Sequence, residues 1–311
     1  MITTVSLNPA IDKTILIPEM MRGEVNRLED AREDIGGKGI NVCKVLNKLN
    51  INTQVCGFIG SQNRPRVEEL LKREGFKYNF IEADGITRTN TKIVELNHGI
   101  TTDLNEQGFY VNNNQIKRFV ELMKKESGTS DFVVFSGSIP QGMSNEIYAE
   151  LILEMKKKTK TVLDADGELL LHGIKAGPHM MKPNLKELET AFDINLNSDQ
   201  EIINFCKNLI SEHGIEIIIV SMGGEGSLMI MKERSFKAEP ISVEVKSTVG
   251  AGDSMIAGML FGIEQGCTPE EAFAYATACG TLAVTKAGTQ SFNIEEVSEM
   301  LKKVQIKKIC N

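Results

Sequence analysis

Apolar residues along this chain fall into short runs that alternate with stretches of helical period. Residues 2–7 alternate loosely and are rich in β-branched side chains, which predicts a strand. Polar residues and short apolar stretches follow to Ile35. Gly36-Gly37-Lys38-Gly39 then opens a helix whose Ile40, Val42, Cys43, Val45, Leu46 and Leu49 share one face. Residues 54–60 read as a buried strand, and 65–74 as a helix stopped by Gly75. Further on, strands are expected at 131–135, 161–163, 180–181 and 215–220, with helices at 144–158, 184–192 and 199–213. Strands at 227–231 and 241–245 precede helices at roughly 252–265, 269–286 and 293–303. Such alternation predicts a mostly parallel sheet covered by helices on both faces.

Between about 76 and 110 the pattern changes. Short segments rich in Thr, Asn and β-branched residues are broken by Asp84-Gly85 and Asn97-His98-Gly99, which read as hairpins. These segments, with part of 11–35, are expected to form a small sheet standing off the main body. The expected organisation is one domain over 1–311, with a β-sheet lid built from about 11–35 and 86–110. No internal repeat, low-complexity stretch or long linker interrupts it.

Composition narrows the function. The chain has 311 residues, a net charge of -7 and a pI near 5.4, a balance that argues against nucleic acid as a partner. The six cysteines (Cys43, Cys56, Cys206, Cys267, Cys279 and Cys310) form no CxxC pair, so reduced core thiols are expected rather than a zinc or disulfide framework. No apolar run reaches membrane-spanning length, and the first residues read as a strand rather than a signal peptide. A cytoplasmic location is the expectation. The basic runs at 156–160 and 302–308 read as solvated helix faces or a tail.

The most informative segment is Ser247-Thr248-Val249-Gly250-Ala251-Gly252-Asp253-Ser254-Met255, between a strand and a long apolar helix. Gly250, Ala251 and Gly252 let backbone N–H groups approach an anion at a helix start, where those groups are unpaired. Such a cradle suits a phosphoryl group in transit, and Asp253 beside it can accept a proton from an attacking hydroxyl. Alone, the segment could equally be a capped turn. Neither a Walker GxxxxGK[ST] nor a GxGxxG opening the first helix is present, so phosphate handling falls to residues 250–253.

This segment resembles the second signature of the ribokinase-like, PfkB-type sugar kinases, and Gly36-Gly37-Lys38-Gly39-Ile40-Asn41 resembles their first. The similarity continues through Asn8-Pro9-Ala10-Ile11-Asp12, Arg22-Gly23-Glu24-Val25-Asn26, Arg88, Phe135-Ser136-Gly137-Ser138, Lys182-Pro183-Asn184 and Ser221-Met222-Gly223-Gly224. Within the family the chain most resembles the bacterial 1-phosphofructokinases, also through Thr101-Thr102-Asp103-Leu104-Asn105-Glu106. The resemblance implies a ribokinase-like three-layer α/β sandwich with a small β-sheet lid.

It also implies a division of labour. Asp12 would bind sugar hydroxyls, which a carboxylate can do by accepting two hydrogen bonds. Gly36, Gly37, Lys38 and Asn41 would complete the sugar pocket. Arg88 and Arg27 are the candidates for the substrate's own phosphate, a group that suits a bidentate guanidinium. Ser136 stands at a strand's C-terminal end, where ligands sit in open α/β sheets. On the nucleotide side, Lys182 would reach the phosphates, and Ser221, Gly223, Gly226 and Thr248 would border ATP, with 276–286 lining the adenine pocket. Asn184 and Glu187 form the family's NxxE pair, implied to hold Mg2+ near the nucleotide largely through water, although they also read as a helix cap.

The expected reaction moves the γ-phosphoryl group of ATP to fructose 1-phosphate. Kinases for tagatose 6-phosphate or fructose 6-phosphate, a non-catalytic sugar-phosphate sensor, and a nucleoside or vitamin kinase of the same superfamily are the competing readings. A homodimer joined through the lids is the expected assembly.

Overall fold

The structure, a computed structural model, describes residues 1–309. Strand β1 (Ile2–Ser6) is followed by β2 (Ala10–Ile17) and β3 (Asp30–Gly36), and the chain re-enters the body as α1 (Lys38–Lys48). Next come β4 (Thr53–Gly60), α2 (Arg64–Glu74), β5 (Lys77–Ala83), β6 (Arg88–Glu95), β7 (Ile100–Asn105) and α3 (Asn113–Glu126). The alternation continues with β8 (Phe132–Ser136), α4 (Ile147–Met155), β9 (Lys160–Asp164), α5 (Gly167–Lys175) and β10 (Met180–Met181). After α6 (Leu185–Phe192) and α7 (Asp199–His213) lie β11 (Ile217–Ser221), β12 (Ser227–Ile230) and β13 (Ser235–Ala238). Helices α8 (Ala251–Glu264), α9 (Pro269–Val284) and α10 (Ile294–Leu301) precede β14 (Ile306–Ile309).

The large sheet has the order β14-β13-β12-β11-β10-β9-β8-β1-β4-β5. From β11 to β5 every pairing is parallel, and β12, β13 and β14 add antiparallel strands at one side. Strand order reverses around β1, so the carboxyl ends of β1, β8, β9, β10 and β11 open onto a shared crevice.

The period-2 geometry of the strands feeds a separate apolar layer on each face. Val133, Phe135, Ile218 and Val220 pack with Phe119 and Met123 of α3, Tyr148 and Leu151 of α4, Leu170 of α5 and Ile203 of α7. Their neighbours Phe132, Val134, Ile217 and Ile219 point the other way, onto Val42 and Leu46 of α1, Ile256 and Leu260 of α8 and Phe273 of α9. This is the three-layer α/β arrangement expected from the alternation.

The small sheet has the order β3-β2-β6-β7. β2 pairs antiparallel with β3 and parallel with β6, and β6 and β7 form a hairpin.

Some expectations are corrected. The segment 77–83 is not part of the small sheet; it is β5, paired parallel with β4. Tyr78 and Phe80 cover the core beside Ile40, Val55 and Leu71, which draws this strand into the body. Residues 241–245 form no strand. Their alternation arises because Ile241 and Val243 pack on the helix layer without any partner strand, and the antiparallel strand is 235–238 instead. The basic run at 302–308 leads into β14, a sheet edge rather than a tail.

Cys43, Cys56, Cys206 and Cys279 are buried free thiols and Cys267 is half-buried, as expected of core residues; Cys310 lies outside the described residues. Among the described residues no helix is long and apolar enough to cross a membrane.

Candidate active site

The site begins where β2 and β3 leave the main body. Ala10 faces Gly36 and Asp12 faces Asp34 across the antiparallel pair. The Asp12 carboxylate lies so close to Gly36 that a Cβ there would stand 1.9 Å from Asp12 Oδ2, so any side chain at 36 must displace that carboxylate. Asn90 Nδ2 donates to Asp12 Oδ1 at 3.3 Å. Burial raises the Asp12 pKa above the usual carboxylate value, against the pull of Asn90, Lys44 and Arg88.

Gly37 caps α1 with φ +123, a conformation that other residues rarely adopt. The helix it opens directs Lys38 and, one turn on, Asn41 into the crevice. Asn41 Nδ2 donates to Asp253 Oδ2 at 2.8 Å, across 212 residues of sequence. The 36–41 and 250–253 turns therefore face one cleft.

On the far side, Gly250 opens α8 in the left-handed region, and no side chain caps that helix. The Ala251 amide reaches only the Thr248 carbonyl at 3.4 Å, and those of Gly252 and Asp253 have no carbonyl partner among the described residues. These donors lie at the positive end of a 14-residue helix, a site built for an anion. A Cβ on Gly252 would stand 2.8 Å from Lys182 Nζ, so this ammonium rests directly on the turn.

Asp253 is only 5 % exposed. Its pKa is pushed up to about 6, first by burial and next by the nearby Asp164 charge, against the pull of Lys38, Asn41 and Lys182. It is thus ionised at neutral pH but far more basic than a surface aspartate, as suits a general base.

Sequence reasoning passes over Asp164. This carboxylate ends β9 and is 2 % exposed. Lys182 Nζ stands 3.4 Å from its Oδ1 and Lys38 Nζ 3.6 Å from its Oδ2. Burial alone would raise its pKa, but the two lysines more than offset that and hold it below the ordinary value. In return, the Asp164 charge raises the Lys38 pKa despite that lysine's burial. Asp164 joins a lysine at the start of α1 to the lysine that follows β10. The available signal was an aspartate at the carboxyl end of a predicted parallel strand, in Leu163-Asp164-Ala165-Asp166-Gly167.

One cavity of about 1790 Å³ unites these parts. Asp12, Gly37, Lys38, Asn41, Arg88, Lys182, Asn184, Glu187, Ser221, Gly223, Gly226, Thr248 and residues 250–253 all line it. Thr277, Gly280, Thr281 and Val284 of α9 and the end of that helix face Ile241, Val243 and Val245 there, forming a mostly apolar recess. Asn184 and Glu187 cap α6 reciprocally, with Glu187 Oε2 accepting from the Asn184 amide at 2.8 Å and Asn184 Oδ1 from the Glu187 amide at 2.7 Å. Burial raises the Glu187 pKa.

Three expected contacts differ. Gly36 lies behind Asp12 and acts by making room for it. Ser136 does not line the cavity; it is buried and donates to Asp164 Oδ2 at 3.0 Å. Arg27 is exposed in the connection between β2 and β3, away from the cavity, because that connection extends beyond the sheet's far end. Arg88 does reach the cleft. Its Nη2 donates to the Asn8 carbonyl at 2.9 Å and to Ser138 Oγ at 3.2 Å, and its Nη1 to the Glu106 carbonyl at 3.2 Å.

The profile of the pfkB family carbohydrate kinases matches residues 5–296. The 1-phosphofructokinase of Haemophilus influenzae is 39 % identical over 307 residues, covering 98 % of this chain and 97 % of its own. That of Escherichia coli K12 is 35 % identical over 306 residues, with 98 % and 97 % covered. Phosphofructokinase-2 from Escherichia coli, solved with potassium, superposes with a TM-score of 0.91 at 24 % identity, over 97 % of this chain and 98 % of that one.

Proposed function

Since this chain belongs to the pfkB family of carbohydrate kinases, we propose that it transfers the γ-phosphoryl group of ATP to fructose 1-phosphate, giving fructose 1,6-bisphosphate. The observation that carries this reading is the 2.8 Å bond from Asn41 to Asp253. It joins the sugar-side turn to the turn of bare amides and leaves Asp253 Oδ1 free to take a proton. Full-length similarity to 1-phosphofructokinases supports the choice of sugar.

In this mechanism Asp12, steadied by Asn90, accepts hydrogen bonds from sugar hydroxyls. Arg88 takes the phosphate already on the sugar. The acceptor hydroxyl lies at Asp253, which removes its proton as the oxygen attacks the γ-phosphorus and ADP leaves. The amides at 250–252 and the Lys182 ammonium hold the charge of the group in transit. Lys38 and Asp164 fix the electrostatic setting, so catalysis consists mainly of placement and charge stabilisation. The adenine occupies the recess between α9 and residues 241–245.

The residues present fit a magnesium ion held mostly by water and phosphate oxygens. Among the described residues no group of three or more His, Cys, Asp or Glu could cage a metal, whereas Glu187, Asn184 and Asp164 offer oxygen donors beside the anion cradle. When bound, the ion would neutralise charge on the nucleotide phosphates.

The small sheet acts as a lid over the sugar, within a single domain. Among the described residues, seven of the twelve exposed large apolar side chains belong to it or its connections: Met20, Met21, Val25, Leu28, Leu96, Ile100 and Leu104. A second copy packing lid to lid would cover them, giving a homodimer. Arg27 sits in the same connection, so its role toward a phosphate would be played across that interface.

A coupled assay of ADP release, run in parallel on fructose 1-phosphate, fructose 6-phosphate and tagatose 6-phosphate, tests the reading. The expected result is the highest kcat/KM on fructose 1-phosphate. A preference for either other sugar rejects the substrate, and no ADP release with any of them rejects the kinase.

A further inference from the structure

The face of the small sheet turned to the cleft carries two polar rows, set by register. The first runs Asn105, Asn90, Asp12 and Asp34 across the four strands, and the second runs Asp103, Lys92, Thr14 and Arg32. The first row supplies the sugar contacts described above. The second is one repeat further from the body, roughly 6–7 Å along the strands. Its Lys92 is paired with Asp103.

Arg32 is placed differently. Its Nε donates to Asp34 Oδ2 at 2.7 Å, which fixes the direction of the guanidinium. The two terminal amino groups have no partner among the described residues. The side chain reaches across the cleft to the loop that follows α9. Its Nη2 lies 3.2 Å from the point where a Cβ of Gly288 would be. The next residue, Thr289, has its methyl 3.6 Å from the Cβ position of Gly250, the cap of the amide turn. Arg32 thus leans from the small sheet onto the wall of the anion cradle.

Arg88 stands at the opposite end of the same face, level with Ala10, whereas Arg32 is level with Thr14. The two arginines are separated by two repeats along the strands, about 13 Å. Their heads also turn apart, Arg88 to Asn8, Ser138 and Glu106 and Arg32 to Gly288.

We propose that Arg32 binds the terminal phosphates of the nucleotide, so that the small sheet supplies a donor-side contact as well as the sugar contacts. Its planar fork, steadied by Asp34, offers two free donors to non-bridging oxygens of the β,γ end. Nucleotide binding thereby holds the small sheet down on the cleft. This inference rests on the kinase reading above and deepens it.

The test compares the full chain with its Arg32→Ala and Arg32→Lys variants. Binding of the β,γ-imido analogue of ATP and of fructose 1-phosphate is measured separately by calorimetry, and both KM values by ADP release. Arg32→Ala should weaken the analogue and raise the ATP KM by roughly 10- to 100-fold, as expected for a lost charge-assisted contact. Its fructose 1-phosphate affinity should stay within about twofold, which also reports intact folding. Arg32→Lys keeps the charge but loses the fork, and should fall between. Unchanged analogue binding and ATP KM in Arg32→Ala would overturn the inference, as would an equal loss for fructose 1-phosphate. A wild-type chain that binds the analogue through Arg32 yet phosphorylates none of the three sugars rejects the kinase reading and leaves the nucleotide contact of Arg32 standing.

Discussion

Replacing Asp253 with Asn should slow turnover steeply and stabilise the protein at once. Burial and the neighbouring Asp164 raise the Asp253 pKa from 3.8 to about 6. A shift of roughly 2 units means that keeping this group ionised in the folded state costs about 3 kcal/mol once the pH exceeds 7. The folded chain holds the Asp253 proton up to about pH 6 and the unfolded chain releases it near 4. Protonation thus favours the folded state within that window, and stability declines as the pH rises through it. Asparagine is neutral at every pH and can still accept from Asn41 through its amide oxygen. The gain is therefore bounded by about 3 kcal/mol at pH 8 and should shrink toward zero below pH 4. Urea titrations of both proteins across this pH range measure it as a shift in midpoint. Activity should fall by roughly 10²- to 10⁴-fold or more, with binding of both substrates retained. A variant no more stable than the parent at pH 8, or a gain that does not fade with acid, refutes the electrostatic account of this site. Near-normal turnover refutes the base.

Other substitutions separate the two halves of the cleft. Gly36→Ala places a methyl 1.9 Å from Asp12 Oδ2 and must displace that carboxylate, so the phosphosugar KM should rise about tenfold or more with the ATP KM nearly constant. Steady-state kinetics with each substrate varied in turn would show this, and equal changes would count against the role of Asp12. Gly252→Ala, 2.8 Å from Lys182 Nζ, should push the ammonium off the amide turn and reduce kcat about tenfold while phosphosugar binding by calorimetry persists. Arg88→Ala should raise the phosphosugar KM far more than the ATP KM; parallel increases would contradict its assignment to the substrate phosphate.

The glycines at 36, 37, 250 and 252 made both turns legible in the sequence, because each is demanded by a close approach or a left-handed backbone. Their chemistry is local, so the residue types disclose it. Asp164 is different: its role comes from the meeting of Lys38 and Lys182, and no local pattern reports that meeting. Arg32 is silent in the sequence for the same reason, since its partner loop lies more than 250 residues away. Helix α3 had a readable signature. Asn112 and Gln115 form a reciprocal cap, and Ile116, Phe119, Val120 and Met123 follow at helical spacing. The sequence reading passes directly from the hairpins to β8 and misses it. For β5 and residues 241–245 the fault lies in the period itself. Alternation records which side chains are covered, but not which strand, if any, covers them.

The bond between Asn41 and Asp253 also has a temporal meaning. Helices α8 and α9 follow α1 by more than 200 residues, yet they cover its Val42 and Leu46. At 5–20 residues per second, the ribosome needs roughly 10–40 s to extend the nascent polypeptide from one to the other. During that interval Val42 and Leu46 have earlier partners such as Ile2 but lack the cover of α8 and α9. A growing chain cannot hydrolyse or spend nucleotide before α8 has emerged, so catalytic competence waits for that helix to meet α1.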